Sequence, residues 1–114
     1  MMPGRELDAL VAEKVMGLRY TPVGSHPNLH SEAWYIPAEE SFIWNPPPYS
    51  TSIADAWLVV EKMHPDYAFQ LQYVTHRYVA IFWCDAAHTY SASSDIPASA
   101  ICLAALKAVG EEAS

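Results

Sequence analysis

The sequence contains few of the residues that define secreted or nucleotide-binding proteins. Only two of its 114 residues are cysteines, and only four are glycines. Two cysteines, Cys84 and Cys102, do not make a disulfide framework, so we expect free thiols in a reducing cytoplasm. So few glycines argue against a phosphate-cradling loop of the P-loop or Rossmann kind. These shortages exclude the commonest sequence signatures of secretion and of nucleotide binding.

Long apolar runs are also missing. The longest fall far short of the roughly 20 residues that a membrane span needs, so no transmembrane helix is predicted. The first turns of the chain are charged, with Arg5, Glu6, Asp8, Glu13 and Lys14, which is unlike a signal peptide. We therefore expect a soluble protein that is located in the cytoplasm and does not bind membranes.

Positive charge is scarce. Six basic residues stand against thirteen acidic ones, which gives a formal net charge of −7. Nucleic-acid binding draws most of its affinity from clustered lysine and arginine, and here the cations are spread along the chain. We expect no generic nucleic-acid binding. The acidity is most simply explained as a source of solubility through self-repulsion.

What the sequence does contain is apolar and aromatic surface. Hydrophobic residues make up 52% of the chain and aromatic residues 12%, a globular composition whose length fits one domain over residues 1–114. Helical spacing of apolar residues predicts three helices, over residues 5–16, over residues 53–64, and from Asp95 or Pro97 to Val109. Gly17, Pro65 and Gly110 are the predicted stops. Ser52 with Asp55 has the spacing of a capping box, and Ser50 and Thr51 are alternative N-caps.

Strand patterns occupy the region between the last two helices. Residues 69–73 alternate between apolar and polar, residues 78–83 are apolar throughout, and residues 88–93 form a weaker third strand. The short link at residues 75–77 predicts an antiparallel hairpin. Because residues 78–83 are apolar on both faces, we expect them to be covered on both sides, by the helices at 53–63 and 98–109. Trp57 and Trp83 are expected in this core.

Residues 18–45 are harder to interpret. Two short aromatic bursts, residues 34–36 and 42–44, are each bounded by a proline and resemble short strands. We expect at least one to pair with the sheet or to cap the core. The overall prediction is an α+β fold: a small antiparallel sheet of about three to four strands packed with three helices, as an α/β sandwich.

Three blocks of sequence resemble the phage ABA sandwich domain, a family of small phage and prophage proteins. They are residues 4–17, residues 48–62 (PYST leading into IADAW and VVEK), and residues 100–106. The resemblance implies helices on both sides of a sheet and a phage or prophage origin, and hence action in the host cytoplasm. The family has no established activity, so the resemblance carries over no site residue.

Two groups of residues suggest chemistry. Cys84 and His88 have a ligand-like spacing, but a structural zinc site needs four ligands and no second pair is evident, so no metal or cofactor is predicted. Asp85 and His88 form a possible acid–base pair, for which an Asp-capped turn is the favoured explanation. Because no catalytic motif is present, whether the protein is an enzyme stays open, with a non-enzymatic role favoured.

The aromatic side chains within residues 18–45 suggest a binding surface rather than a catalytic site, because a large apolar area with a polar tip suits an interface. The candidate binding residues are Trp34, Tyr35, Trp44, Tyr49 and Arg77. We expect a phage accessory protein that binds a partner, most simply by forming a homo-oligomer, with a host protein or a small ligand as other partners. One alternative is a protein that sequesters a nucleotide signal and so counters host defence, with Arg19, Lys62 and Arg77 contacting phosphate. The other is a small hydrolase using Asp85 and His88.

Overall fold

The computed structural model describes residues 3–22, 33–37 and 39–110. Within them lie three helices and six strands, which confirms the α+β class and the three predicted helices. In chain order they are α1 (Arg5–Lys14), β1 (Arg19–Thr21), β2 (Ala33–Ile36), β3 (Ser41–Ile43), α2 (Ile53–Met63), β4 (Ala68–Val74), β5 (Arg77–Asp85), β6 (His88–Ser94) and α3 (Pro97–Ala108). None of the described helices has the length and apolar character needed to cross a bilayer.

The larger sheet has the strand order β4-β5-β6, and both pairings are antiparallel. The predicted hairpin between β4 and β5 is confirmed. Its turn is two residues long, because Val74 pairs with Arg77 and leaves only Thr75 and His76 between them. Both turn residues have positive φ, 51° and 63°. Positive φ at both central positions is the type I′ geometry, whose twist matches that of the two strands.

Helix α3 covers one face of this sheet. It contacts β5 and β6, and the side chains of Ala80, Phe82 and Ala92 are buried on that face. Helices α1 and α2 then pack against α3. Helix α3 is therefore the element that is covered on both sides, since eight of its twelve residues are buried. Many of these residues are small, which allows close packing.

The prediction of a sheet covered by helices on both faces is wrong for this chain. The opposite face carries Val79, Ile81 and Trp83, which are only partly buried, and Val74, which is 49% exposed. The buried side of helix α2 packs against α3 and does not cover this face of the sheet. This part of the prediction failed because an apolar strand and an apolar helix do not specify which element covers which.

Helix α2 also turns a different side to the core from the one that the predicted burial of Trp57 requires. It buries Ala56, Val59, Val60 and Met63, whereas Ile53 and Trp57 are each 50% exposed. The placement of Trp57 in the core was therefore wrong, and Trp83 is only half-buried. Small and β-branched residues allow α2 to approach α3 closely, and this leaves the two large side chains on the outer side of the helix.

The two aromatic bursts form β2 and β3, which confirms both as strands. They pair with each other and with β1 as a separate antiparallel sheet, not with β4-β5-β6. Ala33 and Trp34 of β2 are buried and join the core. In the part of the chain that the structure describes, the predicted three to four strands therefore become six strands in two sheets.

The predicted helix ends agree with the structure. The Ser52 hydroxyl accepts a hydrogen bond from the backbone N–H of Asp55 at 3.4 Å, so Ser52 is the N-cap of α2. Gly17 and Gly110 follow α1 and α3 with φ of 76° and 90°, which is the left-handed conformation that glycine adopts at little cost.

Candidate functional site

A cleft of about 290 Å³ lies between the start of α1, the small sheet and the segment that follows β3. We call it the aromatic cleft. Its lining residues are Arg5, Glu6, Ala9, Tyr20, Trp34, Trp44, Asn45 and Pro46. Three aromatic rings in a concave surface are suited to stacking on a flat ligand, and the lining also holds one cation, Arg5, and one carboxylate, Glu6.

The walls of the aromatic cleft differ in burial. Trp34 is 8% exposed and packs edge-to-face with Tyr20, with the ring centroids 5.5 Å apart. Trp44 is 62% exposed. The Arg5 guanidinium donates to the side-chain oxygen of Asn45 at 3.1 Å, which ties α1 to the segment after β3. One wall is therefore part of the core, and the opposite wall carries an exposed indole.

A buried polar cluster holds α1 against this segment. The backbone N–H of Ser50 donates to the Asp8 carboxylate at 2.7 Å, and the backbone N–H of Gly4 donates to the Ser50 hydroxyl at 2.9 Å. Asp8 and Ser50 are both buried, at 6% and 0% exposure. Because a buried donor without an acceptor is costly, these bonds position the first turn of α1, and with it Arg5 and Glu6.

Tyr49 lies beside this cluster and is almost fully buried, at 2% exposure. Burial, with the Asp55 carboxylate as the next largest cause, raises the pKa of Tyr49 to about 12. Tyr49 therefore belongs to the core next to the aromatic cleft and presents no free binding surface.

The five candidate binding residues do not form one site. Trp34 and Trp44 meet in the aromatic cleft. Tyr35 lies next to Trp34 along β2, so it points to the other face of the small sheet, where its ring packs against Phe42 at 5.3 Å. Arg77 is on the larger sheet and forms an ion pair with Asp95 at 3.2 Å.

Arg5, Tyr20 and Asn45 also line the aromatic cleft, and they were not among the predicted site residues. They come from three separate segments of the chain, so no local spacing connects them. The only signal in the sequence is that Asn45 directly follows Trp44 and precedes a proline run.

The Asp85–His88 pair forms in the structure. The His88 ring nitrogen Nδ1 lies 2.9 Å from one carboxylate oxygen of Asp85, and that oxygen also accepts the backbone N–H groups of Ala87 and His88. The hydrogen bond with His88, and then the one from Ala87, lower the pKa of Asp85. The favoured explanation, an Asp-capped turn, agrees with this geometry.

Cys84 joins the same turn. The ligand atoms of Cys84, Asp85 and His88 lie within 4.8 Å of one another, and all three residues are exposed. The residues described offer three potential metal ligands at this hairpin turn. Tetrahedral structural zinc takes four protein ligands, and the Asp85 carboxylate is already held by two backbone N–H groups.

Comparison with known proteins gives the family. A model of the phage ABA sandwich domain matches residues 9–106. The chain belongs to the phage ABA sandwich domain family. Among solved structures, this phage ABA sandwich domain is similar to a phage protein from Bacillus cereus ATCC 14579, with a TM-score of 0.70 and 23% sequence identity over 100% of this chain and 93% of that one. That likeness supports the fold. No curated protein matches the sequence.

A second surface of this phage ABA sandwich domain is apolar and open to solvent. Leu71 and Tyr73 of β4 are 37% and 61% exposed, and they share a sheet face with Phe69, whose ring contacts Trp57 of α2 at 5.9 Å. Ile53 lies one helical turn before Trp57. We call Ile53, Trp57, Leu71 and Tyr73 the apolar ridge. Contiguous apolar surface of this kind marks interaction sites.

Proposed function

We propose that this phage ABA sandwich domain is a non-enzymatic phage accessory protein that binds through self-association in the host cytoplasm. The observation that carries the proposal is the apolar ridge, where four large side chains are exposed together on neighbouring elements. Burying such surface against a second copy is favoured by roughly 25 cal/mol for each Å² removed from water. Homo-oligomers are the commonest assemblies of soluble proteins, and among them two-fold dimers predominate.

The proposal of a non-enzymatic role is supported by the position of the strongest catalytic candidate, the Asp85–His88 pair. Asp85 and His88 lie exposed on a hairpin turn, and the carboxylate is engaged by backbone N–H groups. Acid–base catalysis works best where a titrating group is placed in a cleft. The described cleft is lined by other residues.

Sedimentation velocity and light scattering of the full chain, between about 5 and 200 µM, test self-association. We expect a dimer that dissociates on dilution. A protein that stays monomeric over the whole range contradicts the proposal.

A second candidate function is the capture of a small, flat, anionic ligand such as a nucleotide, and the aromatic cleft favours it. Arg5 supplies the positive charge, and the exposed Trp44 supplies a surface for stacking. The cations predicted for this role, Arg19, Lys62 and Arg77, do not line the cleft, so Arg5 replaces them in the proposal.

Thermal-shift measurements with cyclic and linear nucleotides test ligand capture. We expect Trp44→Ala and Arg5→Gln to abolish any shift, while Lys62→Gln, outside the cleft, retains it. If no nucleotide at millimolar concentration raises the melting temperature, the second candidate is rejected and the self-association proposal is unaffected.

A further inference from the structure

The outer edge of β4 is an open strand edge. Among the described strands, β4 pairs with β5 alone, so every second residue directs its backbone N–H and C=O away from the sheet. Among the described residues, no hydrogen bond to these outward groups is found. The strand sequence, AFQLQYV, contains no charge and no proline, which are the usual means by which proteins protect an edge from pairing.

The other edge of the sheet is protected. The Lys107 ammonium donates to the backbone carbonyl of Ser91 at 2.9 Å, and the Arg77 guanidinium donates to that of Ser93 at 3.3 Å. Two cationic side chains therefore occupy carbonyls of β6. The two edges differ, and only β4 offers an unprotected ladder.

The sequence of β4 is chemically symmetric about its central residue. Leu71 lies between two glutamines, these lie between two aromatic residues, Phe69 and Tyr73, and the ends are aliphatic, Ala68 and Val74. Resting on the proposed function of self-association, we propose that β4 pairs antiparallel with β4 of a second copy, about a two-fold axis at Leu71. The result is a continuous six-stranded sheet.

This register places like side chains together. Leu71 lies opposite Leu71 of the second copy, Phe69 opposite Tyr73, and Gln70 opposite Gln72. Cross-strand pairs of matching chemistry stabilise an antiparallel ladder, and aromatic pairs do so most. A shift by one residue would place glutamine opposite leucine and turn the apolar face of one copy away from that of the other. The register centred on Leu71 pairs every residue of β4 with one of its own chemical class, whereas an axis at Gln70 or Gln72 would place Leu71 opposite an aromatic residue.

Charge favours the same arrangement. The protein carries a formal net charge of −7, so two copies repel each other unless their contact surface is neutral. β4 has no charged residue.

The apolar ridge adds area to the strand pairing. A two-fold axis perpendicular to the sheet keeps the helices of both copies on the same side, so each ridge lies beside its counterpart. Trp57 and Tyr73, each at least half exposed, contribute on the order of 100 Å² apiece. A stable dimer buries about 800 Å² per partner. The ridge supplies apolar area that a strand edge lacks.

Charge substitution in the full chain tests the interface. Leu71→Lys places two ammonium groups opposite each other, and we expect it to raise the dimer Kd at least tenfold in sedimentation velocity. Val109→Lys is the matched control, because Val109 is exposed to a similar degree, 41%, but lies beyond α3. Circular dichroism checks that both variants are folded.

Cysteine cross-linking tests the register. In a Cys84→Ser background, we expect Leu71→Cys to form a disulfide-linked dimer on oxidation with copper phenanthroline, because facing residues of an antiparallel pair have Cα atoms about 4.5–5.5 Å apart. Tyr73→Cys is the control. Its own counterpart would lie four positions along the strand, about 14 Å away, so it should stay unlinked although Tyr73 is the more exposed residue.

The outcomes separate this inference from the proposed function. If the wild type is a dimer and Leu71→Lys leaves it intact while Ile81→Lys breaks it, the interface is the uncovered sheet face. The β4 pairing is then wrong, and self-association stands. Cross-linking through Tyr73→Cys but not Leu71→Cys would also overturn the pairing. A wild type that is monomeric at every concentration overturns both.

Discussion

The two cysteines of the chain differ in accessibility, and so in reactivity. Cys84 is exposed, whereas Cys102 is fully buried in α3, where burial and the nearby Asp8 carboxylate raise the pKa of its thiol. Because the thiolate is the reactive form, we expect one thiol to react rapidly with DTNB in the folded protein and two in denaturant. Cys84→Ser should remove the rapid phase. A rapid phase that survives this substitution would contradict the burial of Cys102.

Tyr49 makes stability depend on alkaline pH. Its pKa is raised to about 12 in the folded protein against an ordinary value of 10.0, so the unfolded chain releases the phenol proton first. The stabilisation is complete below pH 10 and is lost as the pH rises through 12. We expect the free energy of unfolding in urea to fall more steeply between pH 10 and 12 for the wild type than for Tyr49→Phe. Equal slopes would refute the prediction.

Helix α1 is attached to the segment before α2 by the bond between Ser50 and Asp8. We expect Asp8→Ala to lower the free energy of unfolding by about 1–3 kcal/mol, because the buried N–H of Ser50 loses its acceptor. Asp8→Asn should cost less, since the amide oxygen can still accept. Glu13→Ala, on the exposed side of the same helix, is the control and should change stability by less than about 0.5 kcal/mol.

The β4–β5 turn is built from residues poorly suited to it. Thr75 is β-branched and has a φ of 51°, a conformation that asparagine and glycine adopt more easily. We expect Thr75→Asn combined with His76→Gly to raise the free energy of unfolding by about 1 kcal/mol in urea titrations. Ala87→Gly in the other hairpin turn, where φ is ordinary, should be destabilising. A less stable double variant would show that Thr75 or His76 makes a contact worth more than the strain.

Self-association should be visible in the melting temperature. A dimer that dissociates on unfolding melts at higher temperature as its concentration rises. We expect the wild type to melt several degrees higher at 200 µM than at 5 µM, and Leu71→Lys to show a smaller dependence on concentration. Differential scanning calorimetry at both concentrations makes the comparison. A concentration dependence that is identical in the two proteins would place the interface elsewhere.

The helices and strands were predictable because their signals are local. Three of these signals depend on neighbours within a few residues: the apolar stripe of α3, the Ser52 cap and the alternation of β4. Gly17 and Gly110 follow their helices because glycine adopts a positive φ at little cost. For the same reason, the two aromatic bursts were recognisable as strands. Their separation into a second sheet was not, since strand pairing depends on partners distant in the chain.

The amino-acid sequence was sufficient for the three helices, for the described strands other than β1, for the α+β class and for the acidic, cysteine-poor character, because periodicity and composition are properties of the chain alone. The packing in three dimensions was needed to show that α2 covers α3, that Trp57 is half exposed, and that Arg5 meets Trp44 across the aromatic cleft. The hydrophobic effect is non-directional, so an apolar face must be buried but does not determine which element covers it. That choice is made by whichever surfaces fit together most closely once the elements assemble.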